Sequence, residues 1–221
     1  MTWVKICGTT NLEDAFLAIE AGADAVGFVF YEKSPRNISP ESARQIAEKL
    51  PGLVEKVGVF VNQDEKVICS TVDRTGITGV QMHGDEEDPH VADLIANCRP
   101  GIGVLAAISM HHASPGGWAM MWEPKSIRGF LLDSGRASQH GGTGKAFDWK
   151  GSVKTVGQIR ALGEVIAAGG LTPENVGEAM EILKPWGVDV VSGVEAEPGK
   201  KDPEKVRAFV RAVREVDRKV G

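Results

Sequence analysis

A (β/α)8 barrel is the fold this sequence predicts, and three observations predict it. Eight short apolar runs recur along the 221 residues. Most are followed by a Gly-rich or polar turn and then by a segment with 3.6-residue periodicity. No linker or low-complexity stretch interrupts the series. Strands alternating with helices imply parallel pairing through right-handed crossovers, and such units build either a closed barrel or an open doubly wound sheet. Eight runs favour closure, and α/β barrels of this length commonly stay undivided, so residues 1–221 are read as one domain.

The elements follow in order. Trp3–Cys7 is the first apolar run and gives way to a Gly-Thr-Thr turn, after which Leu12–Ala21 carries the first helical pattern. Ala25–Phe30 precedes Pro40–Leu50, whose start is marked by Ser39 and Pro40, a capping side chain before a residue that has no N–H to leave unpaired. Val57–Val61, Gly79–His83 and Ile102–Ile108 alternate with helical patterns at Glu65–Arg74 and Pro89–Asn97. Gly129–Asp133 is flanked by two weakly marked helices, around Trp118–Ile127 and Ser152–Leu162. Val165–Ala168 leads to a helix expected over Pro173–Leu183, and Val188–Val191 to one over Pro203–Val216, with Thr172 and Asp202 as the expected caps.

Charge and composition narrow the partners. A net charge of −5 without a Lys/Arg cluster argues against nucleic acid or an anionic membrane surface. No apolar run is long enough to span a bilayer, and the start of the chain lacks a basic and apolar leader. Three cysteines, Cys7, Cys69 and Cys98, have neither metal-type nor redox C-x-x-C spacing, which suits a reducing cytoplasm. Any anionic ligand must then be held locally, by backbone N–H groups or one arginine. A small phosphorylated molecule is the partner expected from the turns after the seventh and eighth strands, with the chain a monomer or homodimer.

In a barrel the chemistry lies on the C-terminal lips of the strands. Cys7 stands at the first lip beside Gly8, and strand alternation places Lys5 one layer beneath it on the same face. A buried ammonium needs a partner, and closure sets the eighth strand beside the first, which makes Asp189 its expected counter-ion. Asp133 ends the sixth strand. Alone, Cys7 reads as a small buried hydrophobe and Asp133 as a cap or ion-pair partner; together on one rim they form an acid–base pair across a ligand. His83 reads most simply as a satisfied histidine of the upper layer. Arg36, after the second strand, either caps a helix, stands in solvent or grips a carboxylate bidentately. Small-residue turns at Gly169-Gly170 and Ser192-Gly193, after strands seven and eight, are where barrels often cradle phosphate. Gly141-Gly142-Thr143-Gly144-Lys145 lacks the P-loop's first glycine and its hydroxyl, and is read instead as a loop over the site.

Taken in order, these pieces resemble phosphoribosylanthranilate isomerase. They are Val4-Lys5-Ile6-Cys7-Gly8, Lys33-Ser34-Pro35-Arg36, Gln81-Met82-His83-Gly84, Leu132-Asp133-Ser134, Gly141-Gly142-Thr143-Gly144 with Phe147-Asp148-Trp149, Ala168-Gly169-Gly170-Leu171 and Ser192-Gly193-Val194-Glu195. The resemblance implies a (β/α)8 barrel that performs an Amadori rearrangement in tryptophan biosynthesis with no cofactor and no metal. It implies Cys7 as general base and Asp133 as general acid. Arg36 would bind the anthranilate carboxylate, Gly170, Ser192 and Gly193 the phosphate, and His83 and Gly142 would line the substrate site. For those roles Cys7 needs a depressed pKa and Asp133 a raised one. The chain departs from the family at Val191, where a serine is frequent, and at His111–Met121; neither departure is expected to touch Cys7 or Asp133.

Overall fold

The computed structural model describes residues 1–84, 90–122, 127–135 and 146–220. Eight parallel strands close on themselves in sequential order. They are β1 (Trp3–Ile6), β2 (Ala25–Phe30), β3 (Glu55–Phe60), β4 (Gly79–Met82), β5 (Gly103–Ser109), β6 (Gly129–Asp133), β7 (Glu164–Ala167) and β8 (Gly187–Val190). The intervening helices are α1 (Leu12–Ala21), α2 (Pro40–Ala47), α3 (Glu65–Thr75), α4 (His90–Cys98), α5 (Pro115–Ala119), α6 (Trp149–Arg160), α7 (Val176–Leu183) and α8 (Pro203–Val220). Closure runs through β1 and β8, in a register that pairs Lys5 with Asp189.

Strand alternation divides the apolar residues into two cores. Val4, Ile6, Val26, Phe28, Phe130 and their like face outward into one continuous layer beneath the helices. Trp3, Ala25, Val57, Leu105, Leu131 and Ile166 face inward and fill the lumen. At the N-terminal end of the lumen Trp3 and Trp186 stack at 5.3 Å. The Arg128 guanidinium lies over both rings and bonds Glu55 and Glu164 at the starts of β3 and β7. Stacked rings and the Arg128 ion pairs thus close the N-terminal end of the lumen, above which lie the apolar layer and then the polar groups of the C-terminal half.

Most helix starts are capped as expected. Ser39 accepts from the Ser42 N–H, and Asp202 from the N–H groups of Glu204 and Lys205. Three features differ. The seventh helix begins at Val176, not Pro173, because Asn175 bends back: its side chain accepts from Thr172 N and donates to the Gly170 carbonyl, holding Thr172–Asn175 as a turn. The fifth helix lies at Pro115–Ala119, earlier than the segment expected around Trp118–Ile127, of which residues 123–126 lie outside the described residues. After β8 the chain makes a 3₁₀ turn at Ser192–Val194 and a hairpin, β9 (Glu195–Glu197) with β10 (Lys200–Lys201), which the periodicity did not signal. Cys69, on α3, is disulfide-bonded, against the reduced state inferred from cysteine spacing. Spacing along the chain carries no information about sulfurs that the fold brings together. The side chain of Cys98 lies outside the described residues.

Candidate active site

Cys7 directly follows β1, and its N–H still donates to the Val190 carbonyl, so the ladder fixes the residue on the rim. Its side chain turns inward against Val29 and Val59 and is only 3% exposed. Space for the thiol comes from Gly27 on the neighbouring strand, where a Cβ would sit 2.5 Å from the sulfur. Beneath it Lys5 is fully buried and ion-paired with Asp189 at 3.0 Å, the counter-ion predicted by strand parity. A second ammonium lies behind the thiol. Lys201, on β10, donates to the Cys7 carbonyl at 2.6 Å and pairs with Glu195 at 3.2 Å. No local pattern singles this residue out, since a Lys-Lys pair before a helix reads as solvated charge.

Arg36, on the turn between β2 and α2, is held by Glu195. Its Nε donates to both carboxylate oxygens, at 2.9 and 3.2 Å, and Nη2 donates to Oε2 at 2.6 Å. Of the three readings open for Arg36, the structure selects a bidentate grip on a carboxylate, but one belonging to the protein. The guanidinium's Nη1 edge takes no part in these bonds. It is the edge a planar anion would meet end-on.

Across the lumen Asp133 ends β6, and His83 follows β4. Their side chains meet, His83 Nε2 lying 2.9 Å from Asp133 Oδ2. His83 Nδ1 in turn faces Gln81 Nε2 at 2.8 Å, and Gln81 Oε1 accepts from Lys5 Nζ at 2.6 Å. His83, Asp133, Gly170, Ser192 and Asp189 line one cleft that encloses about 430 Å³ of space, part of it open to solvent. Gly169 and Gly170 both adopt left-handed backbone, with φ of +69° and +70°, which turns successive N–H groups toward one side. Gly193 touches the preceding turn so closely that a Cβ there would overlap the Leu171 carbonyl, so the loops after β7 and β8 pack as a unit. The structure thus gathers His83, Asp133, Gly170 and Ser192 in one cleft. It sets Cys7 and Arg36 on the β1–β2 side of the rim, outside that lining. Gly142 lies outside the described residues.

The expectation that the Val191 departure stays clear of Cys7 is corrected. Val191 packs on the Cys7, Val29 and Val59 cluster, because the chain bends after β8 and aims that side chain at the first lip. The charge states also differ from those sought. Burial pushes the Cys7 thiol above its ordinary value; Lys5 and Lys201 pull it down, but by less. Burial pushes the Asp133 carboxyl up, yet donors from His83 and from the N–H groups of Gly135 and Ser134 outweigh it and leave it below the ordinary value. The directions therefore favour a thiol at Cys7 and a carboxylate at Asp133.

A buried thiol, a histidine-bonded carboxylate and adjoining glycine turns on the C-terminal rim define an enzyme of the (β/α)8-barrel class. Comparison with known proteins makes this particular. The model of the N-(5′-phosphoribosyl)anthranilate (PRA) isomerase family matches residues 4–212. N-(5′-phosphoribosyl)anthranilate isomerase of Citrifermentans bemidjiense is 45% identical over 216 residues, spanning 98% of each chain. The crystal structure of phosphoribosyl anthranilate isomerase from Thermotoga maritima is 40% identical, with a TM-score of 0.86 over 97% of this chain and 100% of that one. A crystal structure of the isomerase in complex with reduced 1-(o-carboxyphenylamino)-1-deoxyribulose 5-phosphate, also 40% identical, matches over the same shares of the two chains with a TM-score of 0.83. The chain belongs to the phosphoribosylanthranilate isomerase family.

Proposed function

We propose that this isomerase converts N-(5′-phosphoribosyl)anthranilate to 1-(2-carboxyphenylamino)-1-deoxyribulose 5-phosphate, a step of tryptophan biosynthesis, with Asp133 as acid and Cys7 as base. The observation that carries this is the placement of a thiol and a carboxylate on opposite sides of one rim, the carboxylate in a cleft walled by the glycine turns after β7 and β8. The phosphate is assigned to Gly170, Ser192 and Gly193. The anthranilate carboxylate is assigned to Arg36, whose Nη1 edge is unused by Glu195.

Asp133 protonates the furanose oxygen, the ring C–O bond breaks, and the nitrogen lone pair forms the iminium. Cys7 then takes the C2′ proton, and the C–H electrons flow toward the iminium nitrogen to give the enolamine, which tautomerises to the ketone. The nitrogen is the electron sink. These steps begin with a protonated Asp133 and a Cys7 thiolate and end with a carboxylate and a thiol. The end state is the one favoured by burial of the thiol and by the donors around Asp133. The working enzyme therefore carries the less favoured protonation of each group, and substrate anions beside Asp133 raise the share in which its carboxyl is protonated.

The test is turnover of N-(5′-phosphoribosyl)anthranilate generated in situ, followed by its fluorescence decay. Wild type turns over; Cys7→Ala, folded by circular dichroism, loses at least about a hundredfold in kcat. Wild type without turnover overturns the activity. Cys7→Ala as fast as wild type overturns the base.

A further inference from the structure

Beneath the rim a line of four polar side chains crosses the barrel from β1 to β6. Lys5 Nζ lies 2.6 Å from Gln81 Oε1, Gln81 Nε2 lies 2.8 Å from His83 Nδ1, and His83 Nε2 lies 2.9 Å from Asp133 Oδ2. The donors and acceptors of this line can be assigned from its first member. An ammonium has only donors, so the end of the Gln81 amide that meets Lys5 must be the carbonyl. The other end is then the NH2 group. It can be met only by a lone pair, so His83 Nδ1 carries no proton and the ring proton sits on Nε2, where it points at Asp133. Flipping the amide would set two donors against each other at Lys5; the other tautomer would do so at His83. Lys5 is held as an ammonium by its position: burial opposes the charge, but the Asp189 carboxylate at 3.0 Å favours it, and on balance its pKa is raised.

We propose that Lys5 and Gln81 are positioning residues that set the tautomer of His83, so that its Nε2–H donates to Asp133 and holds the carboxylate aimed into the cleft. The functional half of this proposal rests on the reading of Asp133 as the acid; the tautomer does not. The Asp133 carboxylate also accepts from the N–H groups of Ser134 and Gly135, and the His83 donor narrows the rotation they leave about its last bond. The same donor stabilises the charge that remains once Asp133 has given up its proton. The arrangement ties the acid to the ammonium lying under the base, so that both catalytic groups share one scaffold across the lumen although β1, β4 and β6 do not pair with one another.

The experiment is a two-bond proton–nitrogen correlation spectrum of the histidine rings in uniformly ¹⁵N-labelled wild type at neutral pH, with His83 assigned by its loss in His83→Gln. The expected pattern is an unprotonated Nδ1 and a protonated Nε2. A proton on Nδ1, alone or together with Nε2, overturns the proposal, whatever the enzyme's activity. In Gln81→Met, which keeps the volume and removes the amide, the ring is expected to populate both tautomers, and kcat to fall about tenfold or more while KM stays within about threefold. In Gln81→Glu the new carboxylate accepts from Nδ1–H, and both ring nitrogens are expected to carry protons. Gln81→Met with the wild-type tautomer and kcat overturns the proposal; should that variant not fold, the wild-type spectrum decides. If the wild-type tautomer is as stated but N-(5′-phosphoribosyl)anthranilate is not turned over, the reading of Asp133 fails and the assignment of Lys5 and Gln81 to the His83 tautomer stands.

Discussion

Glu195→Gln is the substitution whose consequences the structure specifies most fully. The wild-type carboxylate accepts three bonds from Arg36, one from Lys201 Nζ at 3.2 Å and one from Gly199 N at 3.2 Å. Every one of its partners is a donor, and burial alone would raise its pKa; the Arg36 and Lys201 charges bring it below the ordinary value instead. An amide of the same shape turns two acceptor sites into N–H groups that face donors. It also leaves the Lys201 ammonium, 2% exposed, without its counter-ion. Removing one partner of a buried pair costs roughly 3–5 kcal/mol. At about 2–4 °C per kcal/mol for a chain of this size, Tm should fall by about 6–20 °C. With the amide oxygen kept where Lys201, Gly199 and Arg36 Nε meet it, Arg36 loses the two bonds to Oε2 that complete its grip. KM should therefore rise about tenfold or more, equivalent to about 1.4 kcal/mol of binding, with a smaller change in kcat. Thermal unfolding by circular dichroism and Michaelis kinetics read the two effects separately. The double variant Glu195→Gln/Lys201→Met removes the stranded charge, and is expected to recover Tm but not KM. A single variant with Tm within about 2 °C of wild type and an unchanged KM would refute the reasoning.

Three further outcomes are expected. The pH dependence of kcat/KM should be a plateau whose acid limb lies below the ordinary aspartate value of about 3.9 and whose alkaline limb lies above the ordinary thiol value of about 8.5, as far as the fold survives. The sign follows from counting protons on the two groups: below the lowered Asp133 value they hold two protons and no base, and above the raised Cys7 value they hold none and no acid. A limb between about pH 5 and 8 would contradict it. Gly27→Ala sets a methyl 2.5 Å from the Cys7 sulfur and should lower kcat by about tenfold with little effect on inhibition by inorganic phosphate. Gly193→Ala drives a Cβ into the Leu171 carbonyl, separates the loops after β7 and β8, and should weaken inhibition by inorganic phosphate by at least about tenfold.

Much of this molecule can be read from local pattern. The apolar runs mark the strands because inward and outward side chains alternate by covalent geometry. The run Val188–Val191 even locates Asp189, since closure must bring it level with Lys5. The lips carrying Cys7, Asp133, Gly170 and Ser192 follow from the same count. What local pattern does not contain is contact across the lumen or across the ends of the chain. Arg36 and Glu195 stand 159 residues apart, and Lys201 reaches the Cys7 carbonyl from 194 residues away. No periodicity distinguishes Lys201 from its exposed neighbour Lys200; only the β9–β10 hairpin buries the one and not the other. Gln81 and His83 share a face by parity, but their line to Lys5 and Asp133 exists only once eight strands have closed. The charge states of Cys7 and Asp133 belong to this second class. A sequence names the ionisable group, whereas its pKa is set by the water that packing removes and by the donors that folding brings within 3 Å.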